Sequence, residues 1–189
     1  IKDKYDIVVA GSDQVWNTKM SDFDNSFFCD WATSVKVAYA PSLGGSDIFV
    51  SDESSRIINA IKKFKHVSVR EEFGKKCLEK ILNKNVDKVL DPTLVIDRQH
   101  WRSLVGDSIV KGDYIFFYSW AYCNEDGLKI VESESKRLGL PVIITDVRKW
   151  FKKDENKYNF KLSPKDGPLA FLNLMYYAKQ VYVESFHGM

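Results

Sequence analysis

The sequence predicts an α/β protein built on parallel sheets. Three observations carry this: short apolar, β-branched runs recur along the chain, segments with helical spacing fall between them, and Gly11, Pro41 and Asp91 directly follow three of the runs. The first run is 6–10 (DIVVA), continuously apolar up to Gly11, as expected of a strand buried on both faces. The second, 35–40 (VKVAYA), closes on Pro41-Ser42-Leu43-Gly44-Gly45. Residues 51–64 show helical spacing through Ile57, Ile58, Ile61 and Phe64 and lead to a third strand at 66–69 (HVSV). Glu71-Glu72 open a helix with apolar positions Phe73, Cys77, Leu78, Ile81 and Leu82, its acids first and its lysines further along, in keeping with the helix dipole.

A fourth strand at 86–90 (VDKVL) runs into Asp91-Pro92-Thr93, where proline ends regular pairing. The boundary between two halves is placed just beyond it, around 96–102, giving units 1–98 and 99–189. The second half repeats the alternation: a strand at 114–119 (YIFFYS), a helix over 124–138 and a strand at 141–146 (PVIITD). A polar, lysine-rich stretch, 149–165, follows. Gly167-Pro168 then introduce a helix with proline in its opening turn, and 180–184 (QVYVE) is the last strand. Two Rossmann-like parallel-sheet units side by side are expected, with ligands at the carboxyl ends of the strands.

Composition excludes several classes. The chain has 189 residues, 44% hydrophobic and 29% charged, which is ordinary for a folded globular protein. Its 28 basic and 26 acidic residues are too evenly balanced for a nucleic-acid surface, so any anion site must be local. Lys62, Lys63 and Lys65 are either a weak phosphate attractor or a solvated helix end. Cys29, Cys77 and Cys123 are odd in number and widely spaced, fitting neither a disulfide framework nor a zinc pattern, and read as reduced thiols of a cytoplasmic protein. No metal ligand set, transmembrane run or leader is visible, and both ends read as cut, since Ile1 is no initiator and the chain stops as a strand hands over to its next helix.

Four segments place polar or glycine residues directly beyond a strand. In 11–17 (GSDQVWN), Gly11 permits close approach, and Ser12 or Asp13 either caps a following helix or contacts a ligand; Trp16 is either core or a platform for a sugar ring. In 39–45, paired glycines either free backbone donors as phosphate loops require or form a plain turn; neither a Walker loop nor GxGxxG is present, so NAD or ATP binding has no support. Arg70 places a guanidinium before a helix start, suited to a carboxylate or phosphate or else to structural pairing. His187, in 185–188 (SFHG), offers an imidazole for proton transfer, or a structural hydrogen bond; His66 and His100 have no comparable setting.

Together GSDQVWN (11–17), AYAPSLG (38–44), SVREEFG (68–74), LDPTLVI (90–96), GPLAFLNL (167–174) and SFHG (185–188) resemble the polysaccharide pyruvyl transferase family in order and spacing, over nearly the whole chain. The resemblance implies a fold like the B-type glycosyltransferases, with further elements on either side of the segments present here. It implies transfer of pyruvate from phosphoenolpyruvate to a sugar of a surface polysaccharide as a cyclic ketal, with no cofactor. The acceptor would be a sugar or lipid-linked oligosaccharide, reached in the cytoplasm at the inner face of the membrane. His187 and Asp13 would be catalytic; Arg70, Ser185, Gly188, Ser42 and Gly44 would bind the donor; Gln14 and Trp16 would bind the acceptor. Some relatives carry a basic residue where this chain has Ser185, which would leave more of the donor's charge to Arg70. The alternatives on the same architecture are a nucleotide-sugar glycosyltransferase and a non-catalytic glycan-binding relative using Trp16, Trp120 and Trp150.

Overall fold

The computed structural model describes residues 4–45, 54–119, 122, 124–145 and 158–188, with the side chain of His187 outside the description. The chain divides into two compact units, Ile1–Ile96 and Asp97–Met189.

In the first unit, four parallel strands, β1 (Ile7–Ala10), β2 (Val35–Ala38), β3 (His66–Val69) and β4 (Asp87–Lys88), lie side by side in chain order. Helix α1 (Ser54–Lys62) connects β2 to β3, and helix α2 (Glu72–Leu82) connects β3 to β4. Right-handed crossovers that always step the same way put their helices on the same face. That face holds the core: Ala10, Ala38, Val67 and Val69 from the strands meet Ile57, Ile61, Leu78 and Ile81 from the helices, with Trp16 and Phe28 closing one end. The opposite face explains a failed expectation. The apolar run of β1 was expected to be buried on both sides, yet Ile7 and Val9 are 57% and 58% exposed. Among the described residues, the helices that pack against this sheet lie on the other face.

Three further elements were not visible as patterns. A 3-10 helix at Asn25–Phe28 is capped by Asp24, whose side chain accepts from the Ser26 N–H. Helix α3 (Pro92–Val95) begins at the proline that ends β4's strand run, with Asp91 as its N-cap. Helix α4 (Arg98–Val105) occupies much of the stretch read as a boundary, capped by Asp97, which accepts from the His100 N–H at 2.8 Å.

The second unit is wound in both directions. Its strands, β5 (Ile115–Tyr118), β6 (Val142–Ile144), β7 (Lys161–Leu162) and β8 (Gln180–Val183), are all parallel in the order β7-β6-β5-β8. The chain steps outward from β5 to β7, then returns past both neighbours to place β8 on the other side of β5. Helix α5 (Glu125–Leu138) and helix α6 (Pro168–Tyr177) therefore cover opposite faces. Ile115 and Phe117 pack with Leu128 and Val131 of α5, while Tyr114 and Phe116 pack with Leu174 of α6. The all-apolar spelling of β5 follows from this double cover. β7 lies at the end of the lysine-rich stretch that showed no pattern; the rest of that stretch up to residue 157, the end of the 141–146 run and the first turn read at 51–53 lie outside the described residues.

At the carboxyl end of this sheet, Tyr122 closes the gap between β5 and β6. Its hydroxyl donates to the Thr145 carbonyl at 2.7 Å, and burial pushes its phenol up to about 12, so it stays un-ionised near neutrality. The reversal of strand order falls instead between β5 and β8, the position where open α/β sheets bind ligands.

Candidate functional site

Every segment singled out in the first unit meets at the carboxyl end of its sheet. Arg70 leaves β3 and is only 4% exposed. Its NH1 donates to Asp91 Oδ2 at 2.7 Å and to Ser12 Oγ at 3.3 Å. Its Nε faces Glu71 Oε1 at 3.4 Å, and NH2 stands 3.6 Å from Asp13 Oδ1. The guanidinium is therefore paired, and with Asp13, Glu71 and Asp91 around it the cluster is net negative.

Asp91 is the innermost carboxylate, its side chain 1% exposed. Oδ2 also accepts the Ser12 hydroxyl at 2.6 Å, and Oδ1 accepts the Thr93 N–H at 3.0 Å and the Thr93 hydroxyl at 2.8 Å. Burial alone would raise its pKa, but these bonds from Ser12 and Thr93, with the Arg70 pair, outweigh it and hold the carboxyl well below the usual range. Sequence reasoning placed Asp91 at the end of a strand run and within the LDPTLVI segment but gave it no role in the site. The signal that could have found it is the Asp-Pro-Thr spelling, a capping aspartate with proline at the first helical position.

The loop 11–17 does not begin a helix: a bend at Ser12 leads into turns over 13–16, so Ser12 and Asp13 cap no helix. Gly11 is needed where it stands, with φ at 108° and its α-carbon so near the Tyr39 carbonyl that a Cβ would overlap it. Asp13 is also left-handed, at φ 63°, and its side chain is 66% exposed. Gln14 is exposed, its Oε1 accepting from Asn17 Nδ2 at 2.7 Å.

Trp16 departs from its expected role as an acceptor platform. The ring is 0% exposed and packs against Phe28 and Phe64, with centroids 5.5 and 5.4 Å away, so no face is open to a sugar. Ser42 and Gly44 are likewise engaged internally. The Ser42 hydroxyl donates to Glu71 Oε1 at 2.5 Å and its oxygen accepts the Gly44 N–H at 3.0 Å. A Cβ on Gly44, which sits at φ 56°, would overlap the side chains of Asn17 and Gln14. Neither residue leaves the donor expected of a phosphate loop.

In the second unit, 185–188 (SFHG) follows β8 at the strand-order reversal and forms a short 3-10 turn at Phe186–Gly188. Ser185 caps it, its Oγ accepting the Gly188 N–H at 3.1 Å. Gly188 is required by packing, since a Cβ would stand 2.9 Å from the Val183 side chain. Beside this turn Glu184 Oε1 accepts from Asn124 Nδ2 at 2.8 Å, tying the end of β8 to the first turn of α5. Trp120, Cys123 and Trp150 lie outside the described residues. Cys29 and Cys77 are buried, consistent with packing roles. Among the described residues no group of histidine, cysteine, aspartate or glutamate is arranged to hold a metal, and no helix is long and apolar enough to cross a membrane.

No curated protein and no solved structure matches the chain. The family model of polysaccharide pyruvyl transferase does match, over residues 1–189. With two parallel α/β units and a match spanning its whole length, the chain belongs to the polysaccharide pyruvyl transferase family.

Proposed function

We propose that the protein transfers the three-carbon unit of phosphoenolpyruvate to two neighbouring hydroxyls of a polysaccharide sugar, forming a cyclic ketal. One observation supports this beyond the family match: GSD follows β1, APSLG follows β2, REE follows β3, DPT follows β4 and SFHG follows β8, so the resembling segments gather where α/β sheets bind ligands.

The roles divide by charge. A donor bearing both carboxylate and phosphate is repelled by the net negative cluster around Arg70, whereas sugar hydroxyls are natural donors to exposed carboxylates. In this reading Arg70 frames the first unit's site instead of gripping the donor, Asp13 orients or deprotonates an acceptor hydroxyl, and Gln14 and Glu71 flank it. Ser42 and Gly44 hold Glu71 in place. His187 gives its proton to the methylene carbon of the enol, which becomes the methyl group. The first acceptor oxygen bonds to the adjacent carbon and gives up its proton to Asp13, which passes it to solvent, from which His187 is reprotonated. The second then bonds to the same carbon as the bond to the phosphate oxygen breaks, and its proton leaves with inorganic phosphate.

A well-placed acid–base group contributes a factor of about a hundred to ten thousand. In the full-length protein, His187→Ala should lower acceptor-dependent phosphate release from phosphoenolpyruvate by that factor. Near-normal turnover in this variant removes His187 from the chemistry, and consumption of a UDP- or GDP-sugar in place of phosphoenolpyruvate overturns the reaction itself.

A further inference from the structure

Asp91 has the geometry of a residue that acts through others. Its Oδ1 is tied to the start of α3 by both Thr93 donors, which fixes the carboxylate plane. Its Oδ2 is thereby a fixed point for Arg70 NH1 and the Ser12 hydroxyl, from segments 21 and 79 residues away in sequence. Two routes run from it to Asp13. Ser12 Oγ accepts the Asp13 N–H at 2.6 Å, and Arg70 brings NH2 to 3.6 Å from the Asp13 carboxylate. These contacts help to hold Asp13 at φ 63°, a left-handed conformation that aspartate adopts more readily than most residues but still at a cost.

We infer that Asp91 is the positioning residue of the first unit's site: it holds the exposed carboxylate of Asp13 in place through Ser12 and Arg70, and by pairing with Arg70 it keeps that guanidinium from drawing anions. The inference rests on the reading that Asp13 receives the acceptor hydroxyl. Asp91 touches no substrate, so its effect falls on the acceptor and not on the donor.

The test uses the full-length protein and two variants. Asp91→Asn keeps the size and the acceptor for Thr93 but cannot accept from both Arg70 and Ser12; Ser12→Ala cuts one route without unpairing a buried charge. In both, backbone hydrogen exchange over 12–17 should accelerate while 66–69 stays protected. The kcat/KM for the acceptor should fall by about a hundredfold, as misplacement of a reacting group by about 1 Å can cost, while the KM for phosphoenolpyruvate is not raised. Unchanged exchange over 12–17 in both variants overturns the inference, as does an equal fall in the donor and acceptor parameters. If Asp91→Asn does not fold, Ser12→Ala carries the test. If the wild type turns over no phosphoenolpyruvate, the proposed reaction fails and the exchange result alone decides the role of Asp91.

Discussion

Replacing Arg70 by methionine removes the cation from a pair whose partners are 4% and 1% exposed. Asp91 would then be a buried carboxylate without its counter-charge, a change that costs roughly 3–5 kcal/mol when nothing else compensates. Here the Ser12 hydroxyl and the two Thr93 donors remain, so the lower end of that range, about 3 kcal/mol, is expected. The double variant Arg70→Met, Asp91→Asn should recover a good part of the loss, because the asparagine leaves no buried charge unpaired while Oδ1 still accepts from Thr93. Urea unfolding of the wild type, both single variants and the double variant yields the coupling directly. A loss below about 1 kcal/mol for Arg70→Met would match an exposed ion pair, and would refute the claim that this guanidinium is a buried structural element.

The low pKa of Asp91 gives that pair a pH signature. A carboxyl whose folded pKa lies below its unfolded value adds stability above about pH 4 and loses it as pH falls further. The stability gap between wild type and Asp91→Asn should therefore be full at pH 7 and shrink steadily below pH 4 in thermal melts. Trp16→Ala should destabilise by about 3–5 kcal/mol, as expected of a large buried ring. A glycan-binding role for the ring would instead leave the melt near wild type and abolish sugar binding.

The alternation of strands and helices was legible because burial writes it into the residues. β5 is apolar throughout since α5 and α6 cover both its faces, and α2 shows its helical stripe since one side meets the sheet. The same logic overreached at β1, where an identical spelling accompanies one bare face, because periodicity reports what a strand tolerates and not which way the sheet is wound. α4 escaped notice because only Val105 of its eight residues is buried, and β7 because two residues make no pattern.

At the site, position was legible and partnership was not. Residues just beyond strands had to reach the carboxyl edge, but nothing local to Arg70 announces that its partner is Asp91, 21 residues on, or that Ser12 joins them from β1. Whether an arginine grips a ligand or a neighbouring carboxylate is decided by such long-range pairing. Trp16 illustrates the same limit, since its spacing suits a platform and a core equally and only Phe28 and Phe64 decide between them.

The central claim is most directly tested by incubating the full-length protein with phosphoenolpyruvate and the polysaccharide repeat unit it modifies, then recording the acceptor by mass spectrometry and proton NMR. The account predicts one inorganic phosphate released per ketal formed, with a new methyl singlet on the sugar and no second product from the donor. Phosphate release without acceptor modification, or modification by a nucleotide-sugar with phosphoenolpyruvate untouched, would contradict it.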